Sequence, residues 1–182
     1  MKNPNIQFKT TALRCKNAVL LLTYLAVVFI SALNPASAGD QVLFNGTLAG
    51  CVETQEPVDQ CNIHTHAVLF GNATQLGAFT GTGEFYQNFC QEPPNITYIG
   101  SFHLFAANGD ELAGTFEGYL SPTETPGVYD NHETSDVTGG TGRFENATGH
   151  WDSGGQIDLT TEPLCFRLPV QGWISSVGAS RR

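Results

Sequence analysis

From Gln41 onward the chain alternates apolar and polar residues with a period of two. Successive side chains of a strand point to opposite faces, so this alternation marks strands with one buried face. Eight runs follow it: QVLFNGTLAG (41–50), IHTHAVLFG (63–71), LGAFTGTGEFY (76–86), ITYIGSFHLFAA (96–107), ELAGTFEGYL (111–120), VYDNHETSDV (128–137), TGHWDSGGQIDLT (148–160) and LCFRLPVQGWIS (164–175). They are rich in Thr, Phe, Tyr, Val and Ile, which pack well on a pleated surface, and nothing between them carries a helical period. The separators GNATQ, NGD, SPTETPG and TTEP are turn-formers, and most are short, which predicts antiparallel hairpins in meander order.

Eight meandering strands with no helix to cover them must stack as two sheets or close on themselves, and closure alone removes the exposed edges. The expected fold is therefore all-β: one eight-stranded antiparallel up-and-down β-barrel over residues 39–182. Two runs show its inner face most clearly. Leu112, Gly114, Phe116, Gly118 and Leu120 oppose Glu111, Thr115, Glu117 and Tyr119, while Tyr98, Gly100, Phe102 and Leu104 oppose Ser101 and His103. Bulky residues interleaved with glycine suit an eight-stranded interior that is filled or holds one small ligand. Phe79, Phe102 and Phe116 are the apolar side chains expected to meet such a ligand.

The segment before the first strand reads differently. Lys2, Lys9, Arg14 and Lys16 precede an apolar run from Ala18 to Ile30 and then Ala36-Ser37-Ala38, the pattern of a signal peptide over residues 1–38. The apolar run is shorter than the roughly 20 residues needed to span a bilayer. Cleavage there leaves four arginines against 17 acidic residues, a formal net charge of −13, and no lysine. So acidic a body repels phosphate backbones and anionic lipid, which argues against nucleic-acid or membrane partners and leaves neutral or cationic partners and oligomers open.

Four cysteines remain, Cys51, Cys61, Cys90 and Cys165, an even number that suggests two disulfides in a secreted chain, or a periplasmic one in a Gram-negative source. In an up-and-down order all four fall at one rim. The expected pairing is Cys51–Cys61 with Cys90–Cys165; Cys51–Cys165 with Cys61–Cys90 also joins adjacent strands.

The stretch DVTGGTGRFENATG (136–149) looks like a phosphate-binding turn, yet Gly140-x-Gly142 puts Glu145 where the third glycine of a G-x-G-x-x-G belongs, and no helix can follow. It is better read as a turn. Gly139, Gly140 and Gly142 permit tight reversal, Phe144 plugs the barrel end, and Arg143 pairs with a carboxylate or holds a ligand. The V-x-G-G-T-G-x-F pattern of Val137 to Phe144, with Ala147 and Gly149 after it, resembles the glycine-rich signature of the allene oxide cyclase and dirigent barrels. Exported bacterial barrels of unassigned function look similar over roughly Asn45 to Thr160, at THAVLFGNATQLGAFTGTGEF and FAANGDELAGTFEG. The resemblance implies the same barrel and one of two activities. The cyclases hold an epoxide in an apolar barrel with a carboxylate and a water nearby, and dirigent proteins guide coupling of phenoxy radicals.

His64 and His66 share one face of a run and His103 lies two strands away, an arrangement that suits a metal or a ligand but is more simply a polar rim or surface. Asp130, His132, Glu133 and Asp136 lack the spacing of a calcium loop and read as a solvated strand and loop. No Ser, Cys or Thr stands in a nucleophile context, and no metal or cofactor is expected. Two functions follow. The first is an exported binding module for a small apolar or aromatic ligand or a protein partner, without catalysis; its small-ligand form needs an interior cavity of about 300 Å³ or more. The second is an isomerase or cyclase, which requires an Asp, Glu or His aimed into the cavity beside an amide or water.

Overall fold

A computed structural model describes residues 40–175. The expected signal peptide lies outside the described residues. The eight strands are β1 (Gln41–Pro57), β2 (Asn62–Ala73), β3 (Gly77–Asn88), β4 (Ile96–Ala106), β5 (Glu111–Pro122), β6 (Val128–Gly140), β7 (Gly149–Asp158) and β8 (Cys165–Ser175). Every neighbouring pair is antiparallel and β1 also pairs with β8, so the sheet is a closed barrel in chain order.

Inside, the glycines and aromatic rings interlock. A Cβ at Gly114 would lie 2.4 Å from Phe102 Cζ, and one at Gly118 would lie 2.6 Å from Tyr98 Oη. Each of these two inward rings of β4 occupies the space above a β5 glycine, which is how so narrow a barrel admits so many aromatics.

The two rims differ. At the rim formed by the β6–β7 link, Gly142 takes φ 59°, a left-handed conformation suited to glycine, and the short 3₁₀ turn Gly142–Phe144 follows. This turn drives Phe144 into the barrel end, where it is fully buried in a cluster with Leu76, Phe79, Leu112 and Ile174. The glycine-rich motif thus forms the plugged end.

The opposite rim carries the cysteines, and here the expected pairing is corrected: the disulfides join Cys51 to Cys165 and Cys61 to Cys90. β1 runs on to Pro57, six residues beyond Cys51 and so about 20 Å further at strand rise, before the chain turns back to Cys61. Cys51 therefore faces Cys165 across the β1–β8 pair, while Cys61 lies near the β3–β4 connection. The polar sequence VETQEP conceals this extension. A bulge between Val52 and Thr54 shifts the alternation, so that Gln55 opposes Thr65 and hydrogen-bonds Thr65 Oγ1 and Gln87 Oε1, both at 3.3 Å.

Two outcomes are expected. Gly114→Ala should cost roughly 1–3 kcal/mol in denaturant unfolding, since its methyl meets both Phe102 and the Asp136 carbonyl; a neutral effect would refute the interlock. Removing Cys51–Cys165, which spans 114 residues, should cost about 1 kcal/mol more than removing Cys61–Cys90, which spans 29, on the chain-entropy account. Paired Cys→Ala variants measured by the same method check the ranking.

Candidate functional site

Between the plug and the cysteine rim the barrel encloses a cavity of about 80 Å³. Leu69, Phe85, Phe102, Phe116 and Leu168 form much of its apolar wall. Towards the cysteine rim the lining passes to Val52, Leu159, Leu164 and Phe166, all partly exposed. The space is smaller than the 300 Å³ expected of a small-ligand barrel, and it is about half the roughly 150 Å³ that holds a benzene ring in a dry apolar cavity.

One stretch of wall is polar. On β6 the inward positions are Asn131, Glu133 and Ser135, and Glu133 sits opposite Gly118 of β5 and Ser153 of β7. The Tyr98 hydroxyl lies 2.5 Å from Asn131 Oδ1 and 3.2 Å from Glu133 Oε2. Ser153 Oγ donates to Glu133 Oε1 at 2.9 Å. Glu133 as a residue keeps some exposure, but the partners of its carboxyl group, Tyr98 and Ser153, are both buried. The environment of the carboxyl is what governs its proton. Burial pushes its pKa up to about 7, against the smaller opposing effects of the hydrogen bonds from Ser153 and Tyr98. Tyr98 is also pushed up, first by burial and then by the neighbouring Glu133 charge.

Glu133 overturns one expectation: the strand read as solvated directs this carboxylate inward, while its chain neighbours His132 and Thr134 are exposed. The signal was present in Tyr129, Asn131, Glu133, Ser135 and Val137, five alternate positions of one face. Three polar members masked it.

The residues expected to contact a ligand separate into three groups. Phe102 and Phe116 line the cavity. Phe79 points inward but belongs to the plug, and Arg143 lies at that end too, its Nη2 donating to the Leu76 carbonyl at 3.2 Å, its Nε 3.8 Å from Asp110, and its guanidinium 4.8 Å from the centroid of the Phe144 ring. The histidines are on the outer wall, because buried Thr65, Ala67 and Leu69 fix the inward positions of β2 and buried Phe102 and Leu104 those of β4. There His64 stacks on Tyr86, His66 Nδ1 is 3.1 Å from Glu53, and His103 Nδ1 is 2.5 Å from Glu111. Among the described residues no three His, Cys, Asp or Glu side chains converge as metal ligands.

Comparison of the chain with family models, curated proteins and solved structures returns no match.

Burial of Glu133 makes stability depend on pH. Below its ordinary value of about 4.5 the group is protonated folded or unfolded; between 4.5 and 7 the unfolded chain ionises while the folded one keeps the proton. Stability should thus fall as pH rises through this window, by about 3 kcal/mol in total from the 2.5-unit difference. Denaturant unfolding at several pH values should show this decline in the native protein and lose it in Glu133→Gln. Parallel curves for the two proteins would contradict the assignment.

Proposed function

We propose that the barrel is an exported binding module: its interior falls short of the about 300 Å³ required to hold a small ligand whole, which leaves a protein partner at the rim or, for a small molecule, end-on entry through the cysteine rim of a slender and mostly apolar one. The cavity carries this reading: apolar walls converge on one polar cluster, the far end is plugged by Phe144, and at the cysteine rim Val52, Leu159, Leu164 and Phe166 are partly exposed. A pocket of this composition suits a ligand whose single polar atom fixes its orientation. Its size selects shape. A chain enters end-on with a few heavy atoms inside, the remainder lying against Val52, Leu159, Leu164 and Phe166, whereas an aromatic ring does not fit whole.

Two disulfides belong to a chain that folds in an oxidising, extracellular compartment. With the signal-like residues 1–38, they support secretion, or residence in the periplasm of a Gram-negative cell. The second reading is an isomerase or cyclase, and Glu133 favours it. An inward carboxyl beside the Asn131 amide, with its pKa raised to about 7, has the position and the proton affinity of a general acid or base near neutral pH. The resemblance of Val137 to Gly149 to the cyclase and dirigent motif points the same way.

Gly83 provides the test. It lies on the cavity wall, and the three atoms nearest a Cβ there all belong to the Leu69 side chain, the first at 3.3 Å. Gly83→Leu should fill the cavity and keep the barrel. Mass spectrometry of the native exported protein should reveal a co-purifying small molecule whose occupancy falls at least tenfold in Gly83→Leu, with the circular dichroism spectrum unchanged. Equal occupancy in the two proteins would refute the reading.

A further inference from the structure

On the outside of the barrel one face departs from the polar wall around it. The outward positions of β3, β4 and β5 carry Tyr86, Ile99 and Tyr119, which are 52%, 61% and 40% exposed. The register makes them neighbours, with Tyr86 opposite Ile99 and Tyr119 opposite Thr97, the next outward residue of β4. A histidine backs each ring. His64 of β2 stacks on Tyr86 with centroids 4.6 Å apart, and His132 of β6 stacks on Tyr119 at 4.7 Å. Because β2 and β6 lie on the sides away from β4, the other face of each tyrosine is turned towards β4. The two rings therefore flank Thr97 and Ile99, on strands two spacings or about 9.6 Å apart. The groove they border has a volume of about 710 Å³, and a second of about 540 Å³ continues it, sharing Tyr86, Ile99, Glu117 and Thr134.

The charge of this face has one sign. Glu92, Glu117 and Asp152 line the first groove, Glu84 and Asp136 line the second with Glu117, and neither groove contains an arginine or lysine. Asp136 and Asp152 lie beside His150, whereas Glu84 and Glu117 make no hydrogen bond or ion pair among the described residues. Glu84 stands two residues before Tyr86 on β3, and Glu117 two residues before Tyr119 on β5, so each ring has a carboxylate on the same face about 7 Å along its strand.

That spacing matches one kind of side chain. A lysine or arginine can lay its apolar stem on a ring face while its cationic head reaches the neighbouring carboxylate. A saccharide could also lie on the rings, but it would leave the carboxylates to repel one another, and an anionic partner would add to the repulsion.

We infer that this outer groove docks an extended basic segment of a partner protein, with lysine or arginine side chains laid on Tyr86 and Tyr119 and their heads at Glu84 and Glu117. The groove is on the outer wall and does not depend on the interior cavity, so the failure of either reading leaves the other standing.

Calorimetric titration of the native exported protein tests it with defined probes: octapeptides alternating threonine with lysine, glutamine or glutamate, and cellohexaose. In an extended peptide the alternation puts all the lysines on one face. The lysine peptide should bind at least tenfold more tightly than the other probes and should weaken as salt is added. Glu84→Gln with Glu117→Gln, and separately Tyr86→Ala with Tyr119→Ala, should each reduce its affinity at least fivefold. NMR of isotope-labelled native protein should show the peptide shifting the amide resonances of residues 84–86, 97–99 and 117–119, a readout that stands even if a variant does not fold. Equal binding of the lysine and glutamine peptides, tighter binding of cellohexaose, no binding of the lysine peptide, or shifts confined to other strands would overturn the inference. So would undiminished affinity in both double variants, which would place the peptide elsewhere on the acidic surface.

Discussion

The pairing of β1 with β8, from Gln41 opposite Ser175 to Cys51 opposite Cys165, turns a twisted meander into a closed wall. Without that seam both end strands would present unpaired amides and carbonyls, and the inner side chains would face water on an open sheet. Closure creates an interior, and the interior explains the glycine spacing: a ring that would lie flat on an open sheet here needs the missing Cβ of the next strand. The seam also sets where the barrel stops and the mouth begins. β8 starts at Cys165, and after Val52, whose N–H donates to the Leu164 carbonyl at 2.9 Å, β1 continues with β2 alone, past the bulge that brings Gln55 over the end of the interior.

Inside this apolar wall the run Asn131, Glu133, Ser135 on β6, with Tyr98 and Ser153, is energetically out of place. An apolar set in the same volume would pack without desolvating a carboxyl. The cluster keeps much of its cost down by internal hydrogen bonds and by a proton retained to near-neutral pH, but Asn131 Nδ2 and Trp151 Nε1 remain unpaired. Departures of this kind from internal consistency gather where a protein meets something else. The histidines, which attract attention in the sequence, are on the outer wall beside carboxylates or rings, where they cost the fold little.

The barrel was legible because alternation is a backbone property that every strand shares. Leu112 to Leu120 and Tyr98 to Leu104 sorted their faces without ambiguity, and Phe144 after three glycines could be placed at a barrel end from its turn alone. The site was less legible for the same reason. Alternation assigns a face only where apolar residues mark it, and β6 marks its inner face with Tyr129 and Val137 at the two ends and polar residues between them. The disulfide pairing escaped because strand length, unlike strand presence, depends on the neighbour: Glu53 to Pro57 has no apolar alternation of its own and is extended only because β2 lies beside it.

The two rims then present opposite solutions to ending a barrel. At one, Phe144, Leu112 and Ile174 bury completely, so apolar packing supplies the cohesion and the turn needs no covalent link. At the other, the cavity occupies part of the centre, and side chains such as Phe166 and Leu164 stay partly exposed. A void forfeits dispersion on every atom that lines it. Both disulfides fall at this rim: Cys51–Cys165 fastens the last rung of the closing seam, and Cys61–Cys90 fastens the start of β2 to the connection after β3. Covalent constraint stands beside the smaller of the two apolar clusters, that of Ile96, Tyr98 and Leu120, so the rim can keep an apolar mouth without surrendering the barrel's closure.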